Sequence, residues 1–156
     1  MVRQMEFVDK IAGVQSAAII IISVVISIID IKTYRIPDLL VAVLFFFLVV
    51  FDFLNGYSFV LHGLLSGAVV FAMFFAVFYF VGSMGFGDVK FAAVLSYGLG
   101  FMGIYIAMLF ATVSGLLLFL AGKYLWGWNR GTKLPFAPFL SGGAIFSIVI
   151  RRLCSL

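Results

Sequence analysis

Nineteen residues from Ile11 to Ile29 pass without a charge, and only Gln15, Ser16, Ser23 and Ser27 break their apolar character. Wound as an α-helix, that run is roughly 28 Å long, close to the ~30 Å hydrocarbon core of a bilayer. Comparable runs follow at Leu39–Leu54, Phe59–Val81, Val89–Lys123 and Pro135–Ile150. Only 10% of the chain is charged and its mean hydropathy is +1.30. A soluble domain carries about 25% charged residues. The expectation is an all-α, polytopic membrane protein forming one domain over residues 1–156, in which any chemistry comes from the helices and their short connections.

Composition excludes several classes. The single cysteine, Cys154, rules out an internal disulfide and a multi-cysteine zinc site. The net charge of +4 comes from basic residues scattered among short loops, not from the continuous patch that nucleic acid requires, so no nucleic-acid partner is expected. A cleaved signal peptide would have a shorter apolar run and a small-residue cleavage site. Here Asp30-Ile31-Lys32-Thr33-Tyr34-Arg35 follows instead. Residues 1–10 hold four charges and are too short to assign beyond an amphipathic turn at the interface.

Punctuation between the runs sets the number of spans. Pro37 and Asp38 open the second, since proline fits the first helical turn and a carboxylate suits a helix N-terminus. Asn55-Gly56 is a turn signal, and Gly82 to Gly87 breaks the third run. One helix over Val89–Lys123 would be roughly 50 Å long, and Gly98, Gly100 and Gly103 interrupt it. It is therefore divided into a short span, Val89–Leu99, and a longer one from Phe101 to about Leu120, giving about six spans. The connection Gly122–Leu134, with Trp126, Trp128, Lys123, Arg130 and Lys133, reads as an interfacial anchor. Six spans put Lys32, Arg35, Lys90, Lys123, Arg130 and Lys133 on one side, and Arg3, Lys10, Arg151 and Arg152 on the other. The excess of basic residues assigns the first side to the cytoplasm and both termini to the outside.

Two acids then stand out. Asp30 ends the first run and Asp88 closes the turn Gly85-Phe86-Gly87-Asp88. Two complete spans separate them, so both lie on one face of the membrane. Asp30 sits at the unfavourable end of its helix dipole, with Lys32 and Arg35 near to offset it. Gly85 and Gly87 permit a positive φ or a close backbone approach, and Asp88 is also placed to act as the N-cap of the fourth span. Two carboxylates brought together share a proton and titrate as a unit. One can then act as base toward water while its protonated partner donates to a carbonyl oxygen, which hydrolyses a peptide bond without a metal or covalent intermediate. The same pair could relay protons in a small carrier. Residue chemistry alone leaves protease and proton-coupled carrier equally open. His62 and Asp52 fall at the far side and read as interfacial and boundary residues, and the serines have no histidine on their side for a triad. Gly63 and Gly67 form one small-xxx-small pair suited to helix packing.

Three motifs in order resemble the type IV prepilin peptidases, intramembrane aspartic proteases with a GxGD turn. They are Asp30-Ile31-Lys32-Thr33-Tyr34-Arg35-Ile36-Pro37-Asp38, Gly85-Phe86-Gly87-Asp88-Val89-Lys90, and Lys133-Leu134-Pro135-Phe136-Ala137-Pro138-Phe139. The resemblance implies that Asp30 and Asp88 are the catalytic pair. It implies supporting roles for Gly85, Gly87 and Lys90, with Asp38 a lesser candidate and Pro135 to Phe139 bracing the site. It also implies cleavage of prepilin or pseudopilin leaders at the cytoplasmic membrane face, after a glycine and before an apolar helix, with no cofactor or metal. Membrane lipids and the pilus-assembly or secretion machinery are the partners expected with it. The bifunctional members carry a cysteine-bearing cytoplasmic insert for N-methylation, for which this chain has no room. It looks like the short, peptidase-only branch associated with tight-adherence (Flp-type) pili, with the archaeal preflagellin peptidases as the alternative branch.

Overall fold

A computed structural model describes residues 2–82, 84–126 and 134–154, with side chains described from Ala12 onward except at Val81 and Trp126. The described chain is helical: α1 Val2–Thr33, α2 Asp38–Asn55, α3 Tyr57–Val81, α4 Phe86–Trp126 and α5 Ala137–Cys154. All five helices are long and apolar enough to cross a membrane. Backbone helix extends back to Val2, so the charged N-terminal residues continue the first helix, where the sequence suggested only a turn. The segment holding Trp128, Arg130 and Lys133 lies outside the described residues.

Each helix end follows from its sequence. α1 stops where Tyr34 takes a left-handed conformation, φ 52°, and its N–H closes onto the Asp30 carbonyl at 2.8 Å. Glycine is the usual residue in that conformation, and a tyrosine there costs about 1–2 kcal/mol. Pro37 precedes α2 in an extended conformation, as its missing N–H and fixed φ favour. Gly82 ends α3 with φ 64°, donating to the Phe78 carbonyl.

The expected break in the fourth apolar run is present. Gly100 has φ 68° and ψ 174°, outside the helical region, and divides α4 into α4a (86–99) and α4b (101–126). Contacts show that the chain reverses there. Gln15 meets Asp52, so α1 and α2 are antiparallel; Asp38 meets Lys90 and Leu48 meets Gly98, so α4a runs with α2. α5 runs against α1, with Ala137 at Asp30 and Ser141 at Ser27. α5 also runs against α4b, with Gly143 on the Ala107 carbonyl and Gly103 beside Ser147. α4a and α4b are therefore antiparallel. At 14 residues, α4a is roughly 21 Å long and ends short of a full bilayer core.

Small residues let these helices approach. A Cβ on Gly63 would fall 2.8 Å from the Tyr97 ring and one on Gly67 would fall 3.2 Å from the Ala93 carbonyl, so the expected glycine pair is the α3–α4a packing surface. The core lies around α4a, with Phe91, Ala92 and Leu95 fully buried in one cluster with Ile26, Leu44 and Leu140. The large residues facing outward, such as Phe46, Phe80 and Leu117, are apolar, as a lipid-facing surface requires.

Candidate active site

Asp30 lies in the last turns of α1 and is 4% exposed. Its Oδ2 accepts the Ala137 N–H at 3.1 Å, and the Phe136 N–H also faces the carboxylate. Both amides belong to the free N–H groups at the start of α5. Position at the end of α1 sets Asp30 against its own helix dipole, and sequence reasoning looked to Lys32 and Arg35 for relief. Both are exposed, and among the described residues neither forms an ion pair with it. The compensation comes instead from the positive end of α5, delivered by the Pro135-Phe136-Ala137 segment of the third motif. Pro135 itself is half-buried just before these amides and contributes no N–H.

Asp88 differs from the expected N-cap. α4 begins at Phe86, not Val89, which makes Gly85 the cap position and Asp88 the third helical residue. Its N–H donates to the Gly85 carbonyl at 3.1 Å, and its Oδ2 accepts the Gly85 N–H at 3.1 Å. This is the reaching-back half of a capping box, and it holds the carboxylate against the turn that carries it. A Cβ on Gly85 would stand 3.1 Å from that same oxygen. Neither Gly85 nor Gly87 has positive φ, so close approach is the reason for glycine here. At Gly87 a Cβ would lie 3.0 Å from the Cβ of Ile36, which belongs to the first motif.

The first and second motifs are joined a second time. Lys90 Nζ pairs with Asp38 Oδ2 at 2.9 Å and lies 4.8 Å from the centre of the Phe86 ring. Asp38 is thereby the partner of Lys90 at the N-terminus of α2, and it bonds to neither of the other two aspartates. All three motifs thus meet at one end of the bundle, which places Asp30 and Asp88 at that same end. Every hydrogen bond to these two carboxylates among the described residues comes from backbone N–H groups. Among those residues, no group of three or more His, Cys, Asp or Glu side chains is arranged to hold a metal ion.

Sequence reasoning missed a buried hydroxyl clasp one turn below Asp30. Ser27 Oγ lies 2.8 Å from both the Ser23 carbonyl and Ser141 Oγ, with one proton to share between them, and Ser141 Oγ donates to the Ser23 carbonyl at 3.1 Å. The clasp fixes the register of α1 against α5, and with it the placement of Asp30 on the α5 amides. Serines four apart at 23 and 27 were the available signal. Far from this end, Arg151 donates to the Leu99 carbonyl at 2.6 Å, and Gln15 Nε2 donates to Asp52 at 2.6 Å. Asp52 is thus hydrogen-bonded inside the protein and is more than a boundary charge. His62 is exposed on the same side.

The chain is similar to proteins of one known family. The model of the type IV leader peptidase family matches residues 17–120, a stretch that contains both Asp30 and Asp88. A prepilin leader peptidase/N-methyltransferase from Pectobacterium carotovorum subsp. carotovorum is 30% identical over 143 residues, covering 86% of this chain and 51% of that protein. The chain therefore spans about half the length of that relative. No solved structure matches the chain significantly. With its apolar helices and the family match over two-thirds of its length, this multi-pass membrane protein belongs to the type IV leader peptidase family.

Proposed function

We propose that the chain is an aspartic leader peptidase in which Asp30 and Asp88 form the catalytic dyad. The observation that carries this reading is the shared end of the bundle, where two carboxylates from separate helices are each held only by backbone amides. These bonds engage Oδ2 of each group and hold both carboxylates in place without a charged partner among the described residues. One carboxylate takes a proton from water as the water attacks the scissile carbonyl, and the protonated partner donates to the carbonyl oxygen. The tetrahedral intermediate then collapses as the proton passes to the leaving amine. A carrier would need the acids on a path open alternately to both sides, and nothing in the packing favours that.

The substrate of this reading is a type IV prepilin, of the Flp type, cut after a glycine at the cytoplasmic face, with the substrate's apolar helix still in the membrane. The assignment goes with six crossings, α4a and α4b counted separately, both termini outside and the aspartates facing the cytoplasm. The basic residues Lys32, Arg35 and Lys90 at the aspartate end support that orientation. Residues 34–37 alone connect α1 to α2, leaving no space there for a second catalytic module, so the chain is read as peptidase without methyltransferase. The test is cleavage of a candidate prepilin in membranes by wild-type, D30N and D88N proteins, followed by the mass of the product. Loss of cleavage in both variants with folding intact is expected. Cleavage retained by either variant removes that residue from the dyad.

A further inference from the structure

A groove of about 380 Å³ lies between α3 and α4b, lined by Met73, Phe74, Met84, Met108, Thr112 and Phe136 among others. Two of these residues tie it to the aspartates. Met84 immediately precedes Gly85, whose N–H holds Asp88, and Phe136 immediately precedes Ala137, whose N–H holds Asp30. The Phe136 ring stands 6.3 Å from that of Phe74, so the residue whose own amide faces Asp30 also forms a wall of the groove. The groove is thus bordered by the two segments whose amides hold the candidate dyad.

Its chemistry restricts the occupant. The lining is apolar except for Thr112, whose hydroxyl donates to the Met108 carbonyl of its own helix. Such a surface offers nothing to an extended backbone, so what lies along it must satisfy its own backbone groups, as a helix does. Met73 and Val77 on α3 and Thr112 on α4b are exposed at the rim, so a membrane helix can enter sideways from the lipid. Three methionines add a flexible, polarizable wall that accepts varied apolar side chains. Met73 to Val77 lie four to eight residues before the end of α3 at Val81, roughly 6–12 Å below the aspartate end. The depth suits the first turns of an apolar helix whose N-terminal bond is at the dyad.

The geometry points to this groove as the subsite that takes the apolar helix following the scissile bond, with Phe136 and Met84 joining recognition to catalysis. This inference rests on the peptidase reading above and adds to it the residues that select the substrate. The test uses the full chain carrying Cys154→Ser and Asp88→Asn, in phospholipid vesicles. The probe is a synthetic peptide with a short basic leader ending in glycine, then about twenty apolar residues with one cysteine in their second turn. Thr112→Cys is expected to cross-link to the peptide about tenfold faster than Leu117→Cys, which is exposed on another face of α4b. Equal rates at the two positions mean that the groove holds acyl chains only and overturn the proposal.

A second measurement uses catalytically intact protein. Thr112→Trp fills the groove and is expected to raise KM for this peptide about tenfold while kcat stays within about twofold. A peptide truncated just past the scissile bond is expected to be cut with unchanged kcat/KM. Equal loss on both peptides overturns the subsite. If wild-type protein cuts neither peptide, the peptidase reading falls by itself, and the cross-linking contrast still decides whether the groove binds an apolar helix.

Discussion

α4a has two differently built ends. At the aspartate end, Asp88 is held by its own turn, and across from it Asp30 is held by the first amides of α5. At the opposite end, the Leu99 carbonyl is held by the Arg151 guanidinium, and nearby Asp52 accepts from the Gln15 side chain. The far end uses side chains that reach between helices and satisfy groups that membrane depth would otherwise leave unpaired. At the near end the Asp30 and Asp88 carboxylates are held only by backbone, which cannot move independently of the helices and does not neutralise them. A site built for chemistry fixes its acids by backbone and leaves them without a counter-charge among the described residues.

The contrast is broken most directly at the acids. An amide oxygen at either position can still accept the Gly85 or Ala137 N–H, so D88N and D30N are expected to keep the fold while losing the ability to exchange a proton. Cleavage rate should fall by about 10²–10⁴ or more, the range for removal of a general acid or base. Thermal unfolding in detergent should change little. A large fall in melting temperature with either variant would show that these carboxylates are as structural as Asp52.

The next effect is on packing, away from both ends. Gly143 on α5 sits directly on the Ala107 carbonyl of α4b, so a Cβ there would overlap backbone that cannot step aside as a side chain would. Gly143→Ala should destabilise by about 3 kcal/mol, the upper part of the range for overpacking. Gly87→Ala meets the Ile36 Cβ at 3.0 Å, with the nearest backbone atom at 3.6 Å, and should cost less stability while displacing the turn that carries Asp88. Thermal unfolding and cleavage measured on both variants are expected to rank them in opposite order.

How much of this was legible in the sequence depends on whether the signal was local. Uncharged runs gave the helices, and Gly98, Gly100 and Gly103 located the break in the fourth run, which falls at Gly100. Counting spans placed Asp30 and Asp88 on one face without any structure. The partner of Asp30 was not legible, because nothing within α1 indicates that the start of α5, 107 residues later, supplies its hydrogen bond. Asp88 was misassigned as the N-cap by three residues of boundary error, since Gly85 and Gly87 look like helix breakers while Phe86 already begins the helix. Arg151 was counted as a loop charge for orientation. Its bond to Leu99 became visible only once the chain was seen to reverse at Gly100.

That Arg151 bond gives the third way to test the two ends against each other. Arg151→Met keeps most of the apolar stem and leaves the Leu99 carbonyl without its donor, at a cost of about 1–3 kcal/mol for an unsatisfied polar group. Melting temperature should fall. Cleavage at a temperature where the variant is folded should stay within about threefold of wild type, less than the tenfold that 1.4 kcal/mol in the barrier would produce. A loss comparable with that of D88N would mean that α4a transmits the state of its far end to Asp88.

The smallest effect is expected at the Lys90–Asp38 pair, although it lies at the aspartate end and joins two of the three motifs. The two side chains are 34% and 69% exposed, so water screens them, and such pairs contribute about 0.2–1 kcal/mol. Lys90 also loses its contact with the Phe86 ring on substitution, whereas Asp38 has no second partner among the described residues. Asp38→Asn should therefore be nearly silent in both unfolding and cleavage, and Lys90→Met should cost slightly more. If Asp38→Asn instead lowers cleavage as far as Asp30→Asn, the dyad has been drawn with the wrong first-motif aspartate. The backbone cradle around Asp30 would then be a helix-joining device, as the side-chain bonds are at the far end.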